Sequence, residues 1–203
     1  MDAMELARTI RRAQEKDPEA YDVLVDAYSD RLYGFFYRLT GRRDDADDLL
    51  QDLFLRVVRM IEQYKHDGRF EAWLFRIATN LVRDRVRRKT RKPLGLATDH
   101  FDPEIPGSRD PLGEQPEQAE WARPESHLDR AEQMDRLQTA LEQLPKAERE
   151  VVMLRHFSEL SFKEVAETMG TPIGTALARA HRGLARLREI MKDPDDDVRR
   201  ETA

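Results

Sequence analysis

The chain has no cysteine among its 203 residues. That excludes a disulfide framework and thiolate metal sites, and it is compatible with a reducing cytoplasm. It also lacks any apolar run of membrane-spanning length, and the start Met1-Asp2-Ala3-Met4-Glu5 has neither the cationic nor the apolar region of a signal peptide. The expectation is a soluble, cytoplasmic protein without membrane insertion. An excess of positive charge is missing too. The formal net charge is -5, which argues against a protein that coats nucleic acid indiscriminately. The usual signatures of catalysis do not occur. His66, His100, His127, His156 and His181 lack metal-ligand spacing, and there is no Ser/His/Asp constellation or glycine-rich phosphate loop. No catalytic residue, metal or cofactor is expected, and the chain does not read as an enzyme.

Proline is scarce everywhere but in one stretch. Residues 6–92 contain Pro18 alone and are rich in helix formers, so they read as one all-α domain, a helical bundle. Residues 93–126 hold six prolines and three glycines with little apolar periodicity, and eight acids against two arginines. Such a segment reads as an extended, flexible acidic linker that avoids DNA. Helical periodicity returns over 127–192, a second small domain, and 193–203 reads as a disordered tail. The fold class is therefore all-α, with two small helical domains joined by a linker.

Within the first domain, Phe70, Trp73, Leu74, Ile77, Ala78, Leu81 and Val82 recur at the spacing of one buried helix face. At about 100° per residue, Arg76, Asn80, Arg83 and Arg87 fall on the far side. Residues 83–92 add seven cations against the single acid Asp84. A cationic ridge with one amide suits nucleic acid, because cations neutralise phosphates and the amide can reach a base edge. Upstream, Asp44-Asp45-Ala46-Asp47-Asp48 opens a helix, where carboxylates complement the positive end of the dipole. Its stripe Leu49, Leu50, Leu53, Phe54, Val57, Val58 and Ile61 is assigned to the core, which points Asp48, Asp52, Leu55 and Arg59 outward. An outward leucine among acids is a candidate protein contact.

In the second domain, Ser161-Phe162-Lys163-Glu164 has the form of a capping box, Gly170 breaks the helix, and Thr171-Pro172 offers an N-cap followed by proline at the first helical position. Two short helices across a tight turn predict a helix-turn-helix. Ile173, Ala176, Ala180, Leu184, Leu187 and Met191 form the stripe assigned to the core, leaving Thr175, Arg179, Arg182 and Arg186 for a major groove.

These residues resemble the extracytoplasmic-function (ECF) sigma factors of bacteria. The likeness is carried by Leu32-Tyr33-Gly34-Phe35-Phe36-Tyr37-Arg38-Leu39, by Asp45-Ala46-Asp47-Asp48-Leu49-Leu50-Gln51-Asp52-Leu53-Phe54-Leu55, and by Ala72-Trp73-Leu74-Phe75-Arg76-Ile77-Ala78-Thr79-Asn80. Leu141-Glu142-Gln143-Leu144-Pro145, Leu154-Arg155-His156-Phe157 and Pro172-Ile173-Gly174-Thr175 match the family's second domain in the right order. The resemblance implies a transcription initiation factor that binds core RNA polymerase, directs it to promoters and promotes DNA opening. It implies polymerase docking through Asp48, Gln51, Asp52 and Leu55. It also implies recognition of the minus-ten element, as unstacked non-template strand, by Arg76, Asn80, Arg83 and Arg87 with the preceding loop 64–69. The minus-thirty-five element would be read as duplex by Thr175, Arg179 and Arg182. An anti-sigma factor is the further partner it implies, with Leu55 and Leu177 as candidate contacts. One departure stands out. Leu177 and Ala178 occupy positions where the family usually has a basic and a small hydroxyl residue, which predicts weakened or altered upstream recognition.

Two rival readings remain. The acidic string also fits the Asp-Asp-x-x-Asp pattern that holds magnesium and diphosphate in all-α prenyl-transferring enzymes, but those enzymes need a second acidic helix and a large apolar cavity, and the sequence shows neither. A helix-turn-helix regulator that binds duplex DNA without polymerase would leave the first domain and the acidic linker without a role.

Overall fold

The computed structural model describes the backbone of residues 1–91 and 124–192, and the side chains of 1–88 and 132–192. Most of the expected linker and the whole expected tail lie outside the described residues. Within them the chain forms eight α-helices, one 3-10 turn and no strand.

Helix α1, Ala3–Gln14, is capped by the Asp2 carboxylate, which accepts from the backbone N–H groups of Met4 and Glu5. α2, Pro18–Thr40, begins with Asp17 as N-cap and proline in its first turn. α3, Arg43–Met60, runs into the 3-10 turn Ile61–Gln63, and α4, Phe70–Arg91, follows after a short loop. Leu24, Leu32, Phe35, Phe36, Leu49, Leu53, Phe70, Leu74 and Phe75 fill the space between these helices. Full burial of each such side chain stabilises the fold by about 1.5–3 kcal/mol. The Phe35 and Phe75 rings meet edge to face at 5.4 Å, tying α2 to α4.

The second half comprises α5, Pro124–Gln143, α6, Lys146–Ser158, α7, Phe162–Met169, and α8, Ile173–Met191. α5 starts inside the span read as linker. The Ser161 capping box is present as the sequence predicts: the Ser161 hydroxyl accepts from the Glu164 N–H, and the Glu164 carboxylate accepts from the Ser161 N–H. Gly170 ends α7 at φ 63°, a left-handed conformation that glycine adopts without penalty. The start of α8 is one residue later than predicted. The N–H groups of Thr175 and Ala176 donate to the Pro172 carbonyl, so Pro172 is the cap and the Thr171 hydroxyl has no hydrogen-bond partner.

The two halves are not separate. Buried residues of both form one continuous cluster. The Phe157 ring of α6 lies against Gly34 of α2, so closely that a Cβ on Gly34 would stand 2.7 Å from Phe157 Cε1. Arg31 donates from Nε to the Phe157 carbonyl at 2.9 Å, and buried Arg38 donates to the Met134 carbonyl and to Gln138 Oε1, each at 3.2 Å.

Three stripe assignments differ from the sequence expectation. Val58 is 45% exposed, because Val57 and Ile61 take the core positions and rotate Val58 to within about 60° of outward Leu55. Ile173 and Leu184 are likewise exposed, at 50% and 48%. Small residues, Ala176, Ala180 and Gly183, hold the buried side of α8, and a Cβ on Gly183 would stand 3.0 Å from Val152 of α6. The close approach leaves the larger side chains at the rim. Trp73, assigned to the core, is half-buried.

Candidate nucleic-acid interface

α4 carries the first candidate surface. Its apolar face goes inward, and Arg76, Asn80 and Arg87 are exposed on the opposite side. Arg83 departs from the expected open ridge. It is half-buried, with Nε 2.7 Å from Oε1 of Glu150, a buried carboxylate on α6. Helical period identifies the outward face of α4 but says nothing of a carboxylate arriving from another helix. Arg85 is also engaged, with Nη2 2.5 Å from Asp45 and 2.9 Å from Asp48 of α3. Asp45 and Asp48, two of the three carboxylates of the Asp-Asp-x-x-Asp string, thus pair with a guanidinium.

At the N-terminal end of α4 lies a cavity of about 410 Å³ walled by Tyr64, Lys65, Arg69, Trp73 and Arg76, with Glu164, Glu167 and Thr168 of α7 on its other side. The Tyr64 ring lies 4.8 Å from Trp73 and 5.6 Å from Phe70. Its hydroxyl is buried without a hydrogen-bond partner, and burial pushes its pKa up to about 12. A half-buried indole beside two arginines and a lysine offers a stacking face within a cationic rim, the pairing that holds an unstacked base and its phosphate. Tyr64, Lys65, Arg69 and Trp73 were not singled out as individual site residues by sequence. The signal was the aromatic spacing 64, 70, 73 interleaved with Lys65 and Arg69. On the α7 side, Glu167 stands 3.4 Å from Arg69 Nη1.

The second surface is on α3. Asp48, Gln51, Asp52 and Leu55 are exposed as expected, Leu55 at 56%. Val58, about 60° round the helix and one turn on, extends the apolar area beside Leu55. Asp48 is held from one side by Arg85, which fixes its carboxylate against α4 while leaving it 63% accessible.

The third surface is α8 of the helix-turn-helix. Thr175 and Arg179 are half-buried and Arg182 is exposed. Arg182 Nε and Arg186 Nη1 stand 3.2 and 3.3 Å from the two carboxylate oxygens of Glu148, buried on α6. These two arginines therefore brace α8 on α6 as well as facing outward. Ile173, Leu177 and Leu184 are exposed within about 40° of one another on α8, so the departure at Leu177 continues as an apolar strip.

The arrangement has known counterparts. The family model Sigma-70 region 2 matches residues 24–92, and Sigma-70, region 4 matches residues 134–187. The chain is 32% identical to the ECF RNA polymerase sigma factor SigW of Bacillus subtilis, over 94% of this chain and 98% of that protein. It is 37% identical to the ECF RNA polymerase sigma factor SigE of Mycolicibacterium smegmatis, over 85% of this chain and 62% of that protein. The fold is shared with the sigma factor RpoE of Bartonella quintana, solved with the anti-sigma factor NepR, at a TM-score of 0.61 and 22% identity over 86% of this chain and 98% of that one. With both sigma regions matched in order and a full-length relative above 30% identity, the chain belongs to the ECF RNA polymerase sigma factors of the sigma-70 family.

Proposed function

We propose that this sigma factor divides its work among the three surfaces. Exposed Asp48, Gln51, Asp52 and Leu55 on α3 dock on core RNA polymerase, with Val58 widening the apolar contact. The α4 face engages the minus-ten element as separated non-template strand: Arg76, Asn80, Arg83 and Arg87 meet phosphates and base edges, and the Tyr64–Trp73 cavity takes an unstacked base. Thr175, Arg179 and Arg182 of α8 meet the minus-thirty-five duplex. The proposed division is residues 6–92 for docking and melting, a linker from 93 to the start of α5 at Pro124, α5 through residue 192 for upstream recognition, and 193–203 as tail. The protein acts in the cytoplasm and is not an enzyme; the chemistry belongs to the polymerase.

The observation that carries this reading is the aromatic and cationic cavity at the start of α4, because binding energy there offsets the cost of unstacking a base. The helix-turn-helix regulator reading has no use for it, nor for the region 2 match. An anti-sigma partner is supported by the exposed Leu55 and Leu177, and by the apolar groove that Leu137, Leu141, Phe157, Leu184 and Leu187 line between α5, α6 and α8.

The experiment is open-complex formation by core polymerase and this chain on a promoter recovered by run-off transcription. Trp73→Ala and Arg76→Ala are expected to abolish opening while leaving core binding intact. Opening at the wild-type rate in both variants contradicts the assignment.

A further inference from the structure

α1 lies ahead of the region 2 match, which begins at residue 24. Ile10 and Ala13 bury its apolar face. One side chain does more than pack. Gln14, the last residue of α1, donates from Nε2 to the carbonyl oxygens of Ile61, at 3.0 Å, and Tyr64, at 2.7 Å. Both partners are acceptors, so the amide nitrogen must face them; chemistry fixes the orientation. The two carbonyls bracket the 3-10 turn, across which the Tyr64 N–H donates to the Ile61 carbonyl at 3.1 Å. Gln14 therefore holds the point where the chain leaves α3 and enters the loop of residues 65–69. Tyr64 is the residue whose ring stands against Trp73 in the cavity. The Lys16–Glu62 ion pair at 3.0 Å joins the same two segments.

We propose that Gln14 is a positioning residue for minus-ten recognition: its two hydrogen bonds set Tyr64 and the 65–69 loop against Trp73 and Arg76. The inference rests on the reading of that cavity given under Proposed function. Gln14 reaches the nucleotide through Tyr64 and does not touch it. Five loop residues separate Tyr64 from the start of α4, so a shift at Tyr64 passes into the cavity wall with little chain to absorb it.

The test uses holoenzyme assembled from core polymerase and the full chain, with a fluorescent base analogue in the minus-ten non-template strand to report unstacking. Gln14→Met keeps the length of the side chain and removes the donors; Gln14→Lys restores a donor. Gln14→Met is expected to slow unstacking about tenfold and to flatten discrimination against base substitutions in the element, the effect of losing on the order of one strong hydrogen bond in positioning. Core affinity should stay near wild type, Tm should fall by about 2–4 °C, and Gln14→Lys should recover most of the rate. Normal unstacking in Gln14→Met, while Trp73→Ala and Arg76→Ala fail, overturns the clamp and leaves the cavity reading intact. Normal unstacking in all three overturns the cavity reading itself. A Gln14→Met defect that Lys does not rescue, or that comes with a fall in core affinity, reduces Gln14 to packing and overturns the proposal.

Discussion

Arg83 shows how a single side chain can be correctly placed and still incompletely read. Its helical phase puts it beside Arg76 and Asn80, but Glu150 of α6 occupies its guanidinium. Glu150→Gln is expected to weaken that pair, costing about 1–2 kcal/mol of stability because Arg83 retains partial exposure. It should also free a cation for DNA, so single-stranded non-template oligonucleotide binds the free protein more tightly, with a salt slope steeper by about one unit. Thermal unfolding and fluorescence anisotropy read the two effects. Tyr28 and Tyr64 supply a pH signature. Burial pushes both phenols up to about 12, above the ordinary value of about 10 in the unfolded chain. Each folded phenol therefore keeps its proton where the unfolded one has lost it. Their contribution to stability is intact below pH of about 10 and falls as pH rises toward about 12. Tm measured across that window should drop, and Tyr64→Phe should lessen the drop; a flat profile contradicts the burial argument.

At the scale of elements, the helices were legible because their stops are local: Asp17-Pro18, Ser161 to Glu164 and Gly170 each act within one turn. What was not legible is the contact face where two stripes compete. Val58 and Leu184 fit an apolar period, but Val57 on α3 and Gly183 on α8 won the buried positions. Close packing between helices selected them, and periodicity cannot weigh it. The exposed α3 face makes a direct prediction. Leu55→Glu should lower affinity for core polymerase at least tenfold in a competition assay, with the free energy of unfolding changed by no more than about 0.5 kcal/mol, as for a surface substitution. On α8, Leu177→Arg places a cation where the resemblance leads one to expect a basic residue. Upstream duplex binding by holoenzyme should strengthen and its salt slope should rise by about one unit.

At the scale of the molecule, composition revealed two helical halves and did not reveal that they close on one another. The closure depends on contacts far apart in sequence: Phe157 on Gly34, Arg38 with Gln138, Arg83 with Glu150, Arg69 with Glu167. None has a local signature. The closed arrangement covers part of the α4 face and places carboxylates of α7 beside the cavity, while the α3 face proposed for docking stays open. On the proposed reading, polymerase is met before DNA. Gly34→Ala favours α2 by about 1 kcal/mol in helix propensity but drives a methyl into the Phe157 ring, so it should loosen the closed form. Small-angle scattering is expected to show a larger radius for this variant, and the free protein should bind non-template strand better; an unchanged radius contradicts the closure.

The most direct test of sigma activity is run-off transcription with bacterial core RNA polymerase on a genomic fragment library, with and without this protein. Discrete transcripts that appear only when the protein is present, from start sites sharing an upstream pair of elements, are the expected result. A protein that neither binds the cognate core nor yields a specific transcript would contradict the account.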